Sequence, residues 1–118
     1  MPHPQLPIRV RHQTEALIIG IGGELDLATV PIFEETLEAA MAKEKADSGA
    51  GGRLVVLDLL DLGFMDSSGL GAILAFEARH PEVRIKLVVG EGVVDRVLQT
   101  TAIHKKLKIV SSVAEAVT

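Results

Sequence analysis

The feature that most constrains the fold is the apolar run Leu54-Val55-Val56-Leu57, which continues through Asp58-Leu59-Leu60 and gives way to Asp66-Ser67-Ser68-Gly69-Leu70-Gly71. An unbroken run of branched apolar residues has no face to give to water, so it reads as a strand covered on both sides, the kind found in parallel sheets. Leu70, Ile73 and Leu74 then follow at three- and four-residue spacing, and an aspartate and two serines just before such a pattern read as a helix start. A buried strand thus runs towards two hydroxyls at a helix N-terminus, the edge of an α/β sheet where binding residues usually stand. Backbone N–H groups at that helix start favour negative charge, so a phosphate would be tolerated there.

The other segments fall in order around this one. Ile8-Arg9-Val10-Arg11 alternates apolar and basic residues, as an edge strand does. Gln13-Thr14-Glu15 reads as a turn into a second strand, Ala16 to Ile21, closed by Gly22-Gly23. Thr29 stands where it could cap a helix with Pro31 in its first turn. Val30, Phe33, Leu37, Ala40 and Met41 form its apolar face, and Glu34, Glu35, Glu38 and Lys43 the opposite one. Residues 44–53 lose this periodicity and hold three glycines, so they read as a flexible surface loop. Gly49-Ala50-Gly51-Gly52 lacks the Lys-Ser/Thr that makes a glycine-rich loop cradle phosphate.

The second helix is expected to run to about Arg79, where His80-Pro81 stops it. Ile85 to Val89 is a strand, 92–101 a third helix and Leu107 to Val110 a last strand. Ser111 or Ser112 caps a final helix with Glu115 as its capping-box partner, and Ser112-Val113-Ala114-Glu115 has the required spacing. This order predicts one α/β domain over 1–118: a mixed, mostly parallel sheet of about five strands, four helices and an antiparallel hairpin at the N-terminal edge. Residues 1–6 are expected to fray.

Composition excludes several functions. The net charge of −4, with no Trp or Tyr and only three Phe, leaves neither the basic surface nor the stacking platform that nucleic acids need. No stretch approaches the roughly 20 apolar residues of a membrane span, and the start, Met1-Pro2-His3-Pro4-Gln5, has no signal-peptide pattern. The absence of cysteine fits a reducing cytoplasm and removes disulfides and thiolate metal sites. His3, His12, His80 and His104 share no helical or strand spacing and no carboxylate cluster accompanies them in the sequence, so a metal site is not expected. Ser67, His104 and Asp26 could be written as a triad, but there is no GxSxG elbow. Asp58 and Asp61 read as structural, paired with nearby backbone N–H groups.

Two strings carry a resemblance. FMDSSGLGAIL, preceded by VVLDLLDLG, resembles the phosphorylation loop of the anti-sigma factor antagonists of the STAS domain family. GELDLATVP, at 23–31, resembles that family's other hallmark loop, and the likeness extends from about Leu17 to Val117. It implies the STAS fold and a regulatory binding module with no enzymatic activity, no cofactor and no small-molecule substrate. By the same resemblance Ser67, directly after the motif aspartate, is the phosphorylation site. Asp26, Asp66, Ser68, Gly69 and Leu70 belong to the face that meets the partner.

That partner is implied to be an anti-sigma factor with serine kinase activity, held while Ser67 is unphosphorylated, with a serine phosphatase restoring the binding form. The plain alternatives are that Ser67 and Ser68 merely cap the helix, that Asp66 and Asp26 are loop residues, and that Gly69 and Gly71 only shape the turn. STAS domains also serve as accessory subunits of lipid transporters and in stress-sensing assemblies. A receiver-type enzyme with Asp66 as phosphoryl acceptor would need further acidic metal ligands, for which Asp26 alone is a poor substitute. Two places depart from the family pattern: Ala102 stands where glycine is usual, and the loop at 44–53 is longer than common.

Overall fold

The computed structural model describes residues 5–48, 53–100 and 107–118. The expected loop positions 49–52, the third helix beyond Thr100, Ala102 and His104 lie outside them, as do residues 1–4 of the expected tail. The elements are β1 (Ile8–His12), β2 (Ala16–Ile21), β3 (Gly23–Leu25), α1 (Val30–Ser48), β4 (Leu54–Asp58), β5 (Leu62–Met65), α2 (Ser67–Arg79), β6 (Arg84–Val88), α3 (Val93–Thr100), β7 (Lys108–Val110) and α4 (Val113–Ala116). A five-stranded sheet runs in the order β1-β2-β4-β6-β7, antiparallel between β1 and β2 and parallel elsewhere.

The central strands are what their composition requires. Leu54, Val55, Val56 and Leu57 of β4 are all buried, and so are Ala16 to Ile19 of β2 beside it. Alternate residues feed two cores. The larger joins Leu17, Ile19, Val55 and Leu57 to Phe33 and Leu37 of α1 and Ile73 and Phe76 of α2. Val94 and Leu98 of α3 join it too. The smaller, on the opposite face of the sheet, joins Ile18, Leu54, Val56, Val88 and Val110 to Ala116, with Val113 packed against it. Each fully buried Leu, Ile, Val or Phe contributes about 1.5–3 kcal/mol, so most of the stability lies on the side of α1, α2 and α3.

Two expectations need correction, and one feature was not expected. α1 extends to Ser48, so positions 44–48 are helical and not loop. The apolar stripe is continued there by a carboxylate: Glu44 is only 6% exposed, with Oε1 3.4 Å from His12 Nδ1 and Oε2 3.5 Å from Arg53 Nε. Arg53 also donates to the Gln13 carbonyl. Charged partners make the burial of that position affordable. Leu6, expected to fray, is buried in the larger core. Finally, β3 and β5 form a second, two-stranded parallel ribbon that the sequence pattern did not announce.

His80 caps the C-terminus of α2, as expected of a residue before proline. It is not isolated from carboxylates: Nε2 lies 2.9 Å from Glu38 Oε1 of α1 and Nδ1 3.5 Å from Glu82 Oε1. Arg79 Nη2 lies 2.9 Å from Glu38 Oε2. This cluster clips the far end of α2 to α1. Among the described residues, no group of three or more His, Asp or Glu is arranged to hold a metal ion, and no helix is long and apolar enough to cross a membrane.

Partial burial pushes the Glu38 carboxyl up, but hydrogen bonds from Arg79 and His80 outweigh it and hold the pKa below its ordinary 4.5. A carboxylate lowered by folding stabilises the protein above its unfolded pKa and loses that contribution as pH falls through the folded value. Glu38 is partly solvated, so the gain is small, about 0.5–1 kcal/mol. Glu38→Gln is expected to lower the melting temperature by about 2–5 °C near neutral pH, with the difference closing as pH falls below the ordinary 4.5 and through the lowered folded value. A thermal-melt series across pH checks this; a constant difference would show that packing, and not the ion pair, was lost.

Candidate functional site

Two aspartate-built turns meet at the carboxyl edge of the sheet. The first follows β5. Asp66 is the N-cap of α2, in an extended conformation, and its Oδ1 accepts from Ser68 N at 2.9 Å and Gly69 N at 3.1 Å. The cap is therefore the aspartate and neither serine. Ser67 is the first helical residue and is exposed, whereas Ser68 is half-buried. The capping carboxylate satisfies two of the donors that a helix start leaves unpaired. The Ser67 hydroxyl is left facing solvent with no part in holding the turn.

The second turn follows β3. Asp26 Oδ1 accepts from Ala28 N at 3.0 Å and Thr29 N at 3.1 Å, and Asp26 N donates to Thr29 Oγ1 at 3.0 Å. Thr29 occupies the cap position of α1, since its carbonyl accepts from Phe33 N. Its hydroxyl turns back to donate to Glu24 O at 2.7 Å and does not serve the helix. Asp26 is thus half-buried and tied into its loop by its own carboxylate, more than a plain surface turn residue.

The β3–β5 ribbon brings these turns together. Leu25 pairs with Met65, and Asp66 N donates to Leu25 O at 3.3 Å. The start of α2 lies so close beneath that a Cβ on Gly69 would stand 2.7 Å from Leu25 O and 2.9 Å from Met65 Cγ. Gly69 is thus required by contact, while a Cβ on Gly71 would meet nothing within 4 Å. Gly69 and Leu70 are both buried, Leu70 at 7% exposure in the larger core, so they carry the site from beneath. Asp58 Oδ1 accepts from Leu60 N at 3.1 Å, the backbone pairing expected of it, whereas Asp61 pairs with Arg9 Nη2 at 3.1 Å.

Four surface residues escaped the sequence reading. Leu27, Leu60, Phe64 and Val93 are exposed large apolar residues, Leu27 at 76%. All stand in or beside the loops at this carboxyl edge, and Leu60 packs towards Gly90. Phe64 pairs across the ribbon with Glu24. The available signal was the adjacency of Leu27 to Asp26 and of Phe64 to Met65-Asp66 in the two motif strings. Glu24, Asp26, Asp61, Asp66 and Glu91 make the same edge acidic. It offers hydroxyl, carboxylate and apolar contact, and no group of three or more metal-ligating side chains among the described residues.

The contact at Gly69 yields a paired expectation. Gly69→Ala should cost about 1–3 kcal/mol or more, because backbone must move to admit the methyl. Gly71→Ala should be neutral or gain up to about 1 kcal/mol from helix propensity. Urea unfolding of the two variants checks it, and equal effects would mean that the ribbon does not press on the helix.

Comparison with known proteins places this geometry. The STAS domain family model matches residues 7–116. An anti-sigma F factor antagonist from Paenibacillus polymyxa is 36% identical over 69 residues, which are 58% of this chain and 54% of that protein, so the match spans only about half of its length. The crystal structure of an anti-sigma factor antagonist from Mycobacterium paratuberculosis superposes with a TM-score of 0.83 at 20% identity, covering 96% of this chain and 92% of that one. The anti-sigma factor antagonist SpoIIAA in its unphosphorylated form superposes with a TM-score of 0.70 at 20% identity, covering 94% and 93%. With the expected fold observed and the family model spanning almost the whole described chain, this protein belongs to the STAS domain family.

Proposed function

We propose that this protein is an anti-sigma factor antagonist: a binding module that performs no chemistry, holds an anti-sigma factor while Ser67 is unphosphorylated, and thereby frees a sigma factor. The observation that carries this reading is the exposed Ser67 hydroxyl at the first position of α2, with Asp66 performing the capping. The names of the relatives above support the role. The partner is proposed to be a serine kinase that uses ATP. The Ser67 oxygen would take the γ-phosphoryl as the bond to ADP breaks, its proton passing to a base of the kinase. A serine phosphatase would remove the phosphoryl group.

Physical chemistry explains how such a mark could act on binding without acting on the fold. A phosphoserine adds about −1.5 to −2 charges and strong acceptors. At the start of α2 the helix dipole favours it by about 0.3–1 kcal/mol, so the folded state tolerates it. On the partner's side the exposed Leu27 and Phe64 suit a dry contact, in which a charge beside Asp66 must be desolvated. Introducing a mismatched charge into a buried contact costs about 2–5 kcal/mol.

Ser67→Ala is expected to bind the anti-sigma factor and to accept no phosphate, with stability within about 0.5 kcal/mol of the parent because Asp66 keeps the cap. Ser67→Asp is expected to bind about 30-fold more weakly or worse while melting normally. Pull-down with mass spectrometry of the bound kinase and of Ser67, followed by calorimetry on the three proteins, decides it. Undiminished binding by Ser67→Asp, or stoichiometric phosphorylation of Ser67→Ala, would move the switch to another residue, Ser68 first.

Asp26→Asn keeps the Oδ1 acceptor that ties the loop and removes only the charge. It should weaken docking while leaving the melting temperature nearly unchanged. A large drop in stability with normal binding would make Asp26 purely structural.

A further inference from the structure

The sheet has a second face whose charge the reading above does not use. The strands β1, β2, β4, β6 and β7 contain five Lys or Arg and one acidic residue, Asp58. Register puts all five cations on one side. One row across the sheet reads Arg11, Ile18, Val56, Lys86, Lys108, and the next reads Arg9, Gly20, Asp58, Val88, Val110. Arg84 stands beside Leu54 and Ala16 in a third row. These rows contain the smaller core, so the cations share the face covered only by the four-residue α4. In a chain of net charge −4 this is a concentrated basic surface.

Its shape is a trough along β2. Gly20 and Ile18 line one end together with Arg9 and Arg11 of β1, the Arg9 guanidinium lying over Gly20, and Ala16 lines the other. Val113 and Ala116 of α4 pack on the same core. One end is a groove of about 350 Å³ lined by Arg9, Arg11, Ile18, Gly20 and Asp58. The other, of about 610 Å³, is lined by Ala16, Leu54, Arg84 and Val117 together with the carboxylate-bearing Glu15.

Several of these cations are uncommitted. Lys86 Nζ donates to Ala116 O, and Arg9 meets Asp61, a pair exposed on both sides and therefore weak. The side chains of Arg11, Arg84 and Lys108 have no hydrogen-bond or ion-pair partner among the described residues.

We propose that this trough docks an extended acidic segment of a partner protein, with carboxylates at alternate positions and small apolar residues between them. Arg9 and Arg11 are two residues apart on one strand face, about 6.6 Å, the spacing of alternate side chains in an extended segment laid alongside. Arg11 and Arg84, which line the two ends, stand three strand intervals apart, about 14 Å across the sheet, which suits several carboxylates and not one phosphate. Apart from Val117, the apolar side chains here lie at the floor, Ile18 at 2% exposure, and one exposed valine is not the apolar band that insertion into lipid requires. Electrostatic attraction, with the Arg stems packing on the bound chain, supplies the recognition.

The test titrates isotope-labelled full-length protein with the peptide Ala-Glu-Val-Glu-Val-Glu-Ala and with its Gln-for-Glu counterpart. The Glu peptide is expected to shift amides of β1, β2 and α4, to weaken with added salt and to bind about tenfold or more tighter than the Gln peptide. Arg11→Glu combined with Arg84→Glu should lose about tenfold or more in affinity, while Ser67→Asp should bind the peptide unchanged. Circular dichroism verifies folding, and Arg11→Gln with Arg84→Gln replaces the first pair if it does not fold. No saturation at millimolar peptide, equal affinity for the Gln peptide, or shifts gathered around Ser67 and Leu27 would overturn the proposal. So would self-association abolished by Arg11→Glu, which would make the occupant a second copy. Recruitment to phosphatidylserine vesicles without peptide binding would make it a lipid surface.

Discussion

The structure depends on the approach of the β3–β5 ribbon to the first turn of α2. Leu25 O accepts the Asp66 amide and faces the bare Cα of Gly69 at a distance no side chain could share. This fixes the relative position of two loops that are forty residues apart in sequence. It also explains why one glycine of the motif is obligatory while its neighbour two positions on is not. Once the ribbon is seated, the Asp26 turn and the Asp66 turn present their outer surfaces at one edge. The exposed apolar residues follow from the same geometry, because a ribbon of three and four residues has one side against the core and leaves Phe64 on the other.

Much of this was legible in the sequence. The doubly buried β4 could be read from its unbroken apolar run, and the helix stop at His80-Pro81 and the Ser112–Glu115 cap from local chemistry alone. Glu115 N donates to Ser112 Oγ at 3.1 Å, and Ser111 N donates to Glu115 Oε2 at 3.1 Å. What stayed hidden has physical reasons. β3 and β5 are too short and too rich in Gly to show alternation, and they exist because they pair with each other. The last turns of α1 looked like loop because the position that continues its stripe is Glu44, whose partners His12 and Arg53 come from distant segments. The neighbours of His80 escaped for the same reason, since Glu38 belongs to another helix.

The residues of the candidate site could be named from the sequence, but not their structural division of labour. Asp66, Ser67 and Ser68 are all good capping residues by type, and composition cannot say which one takes the amides. Geometry assigns that task to Asp66, and Asp26 performs the matching task on the other loop. Gly69 and Leu70 prove to be buried supports, which a string of motif letters does not distinguish from surface. The two faces of the sheet are unequal as well: three helices cover one and a single turn of helix the other.

The separation of Asp66 from Ser67 has a consequence for how such a chain can change over time. A residue that holds a turn and also carries a signal is constrained twice, because any replacement threatens the fold before it can alter the message. On the proposed function the two duties fall on adjacent positions. Ser67 can be exchanged, lost or regained without the lineage passing through an unstable protein. The fold at this edge can therefore be inherited intact by proteins that have abandoned the mark, or that answer to a different one.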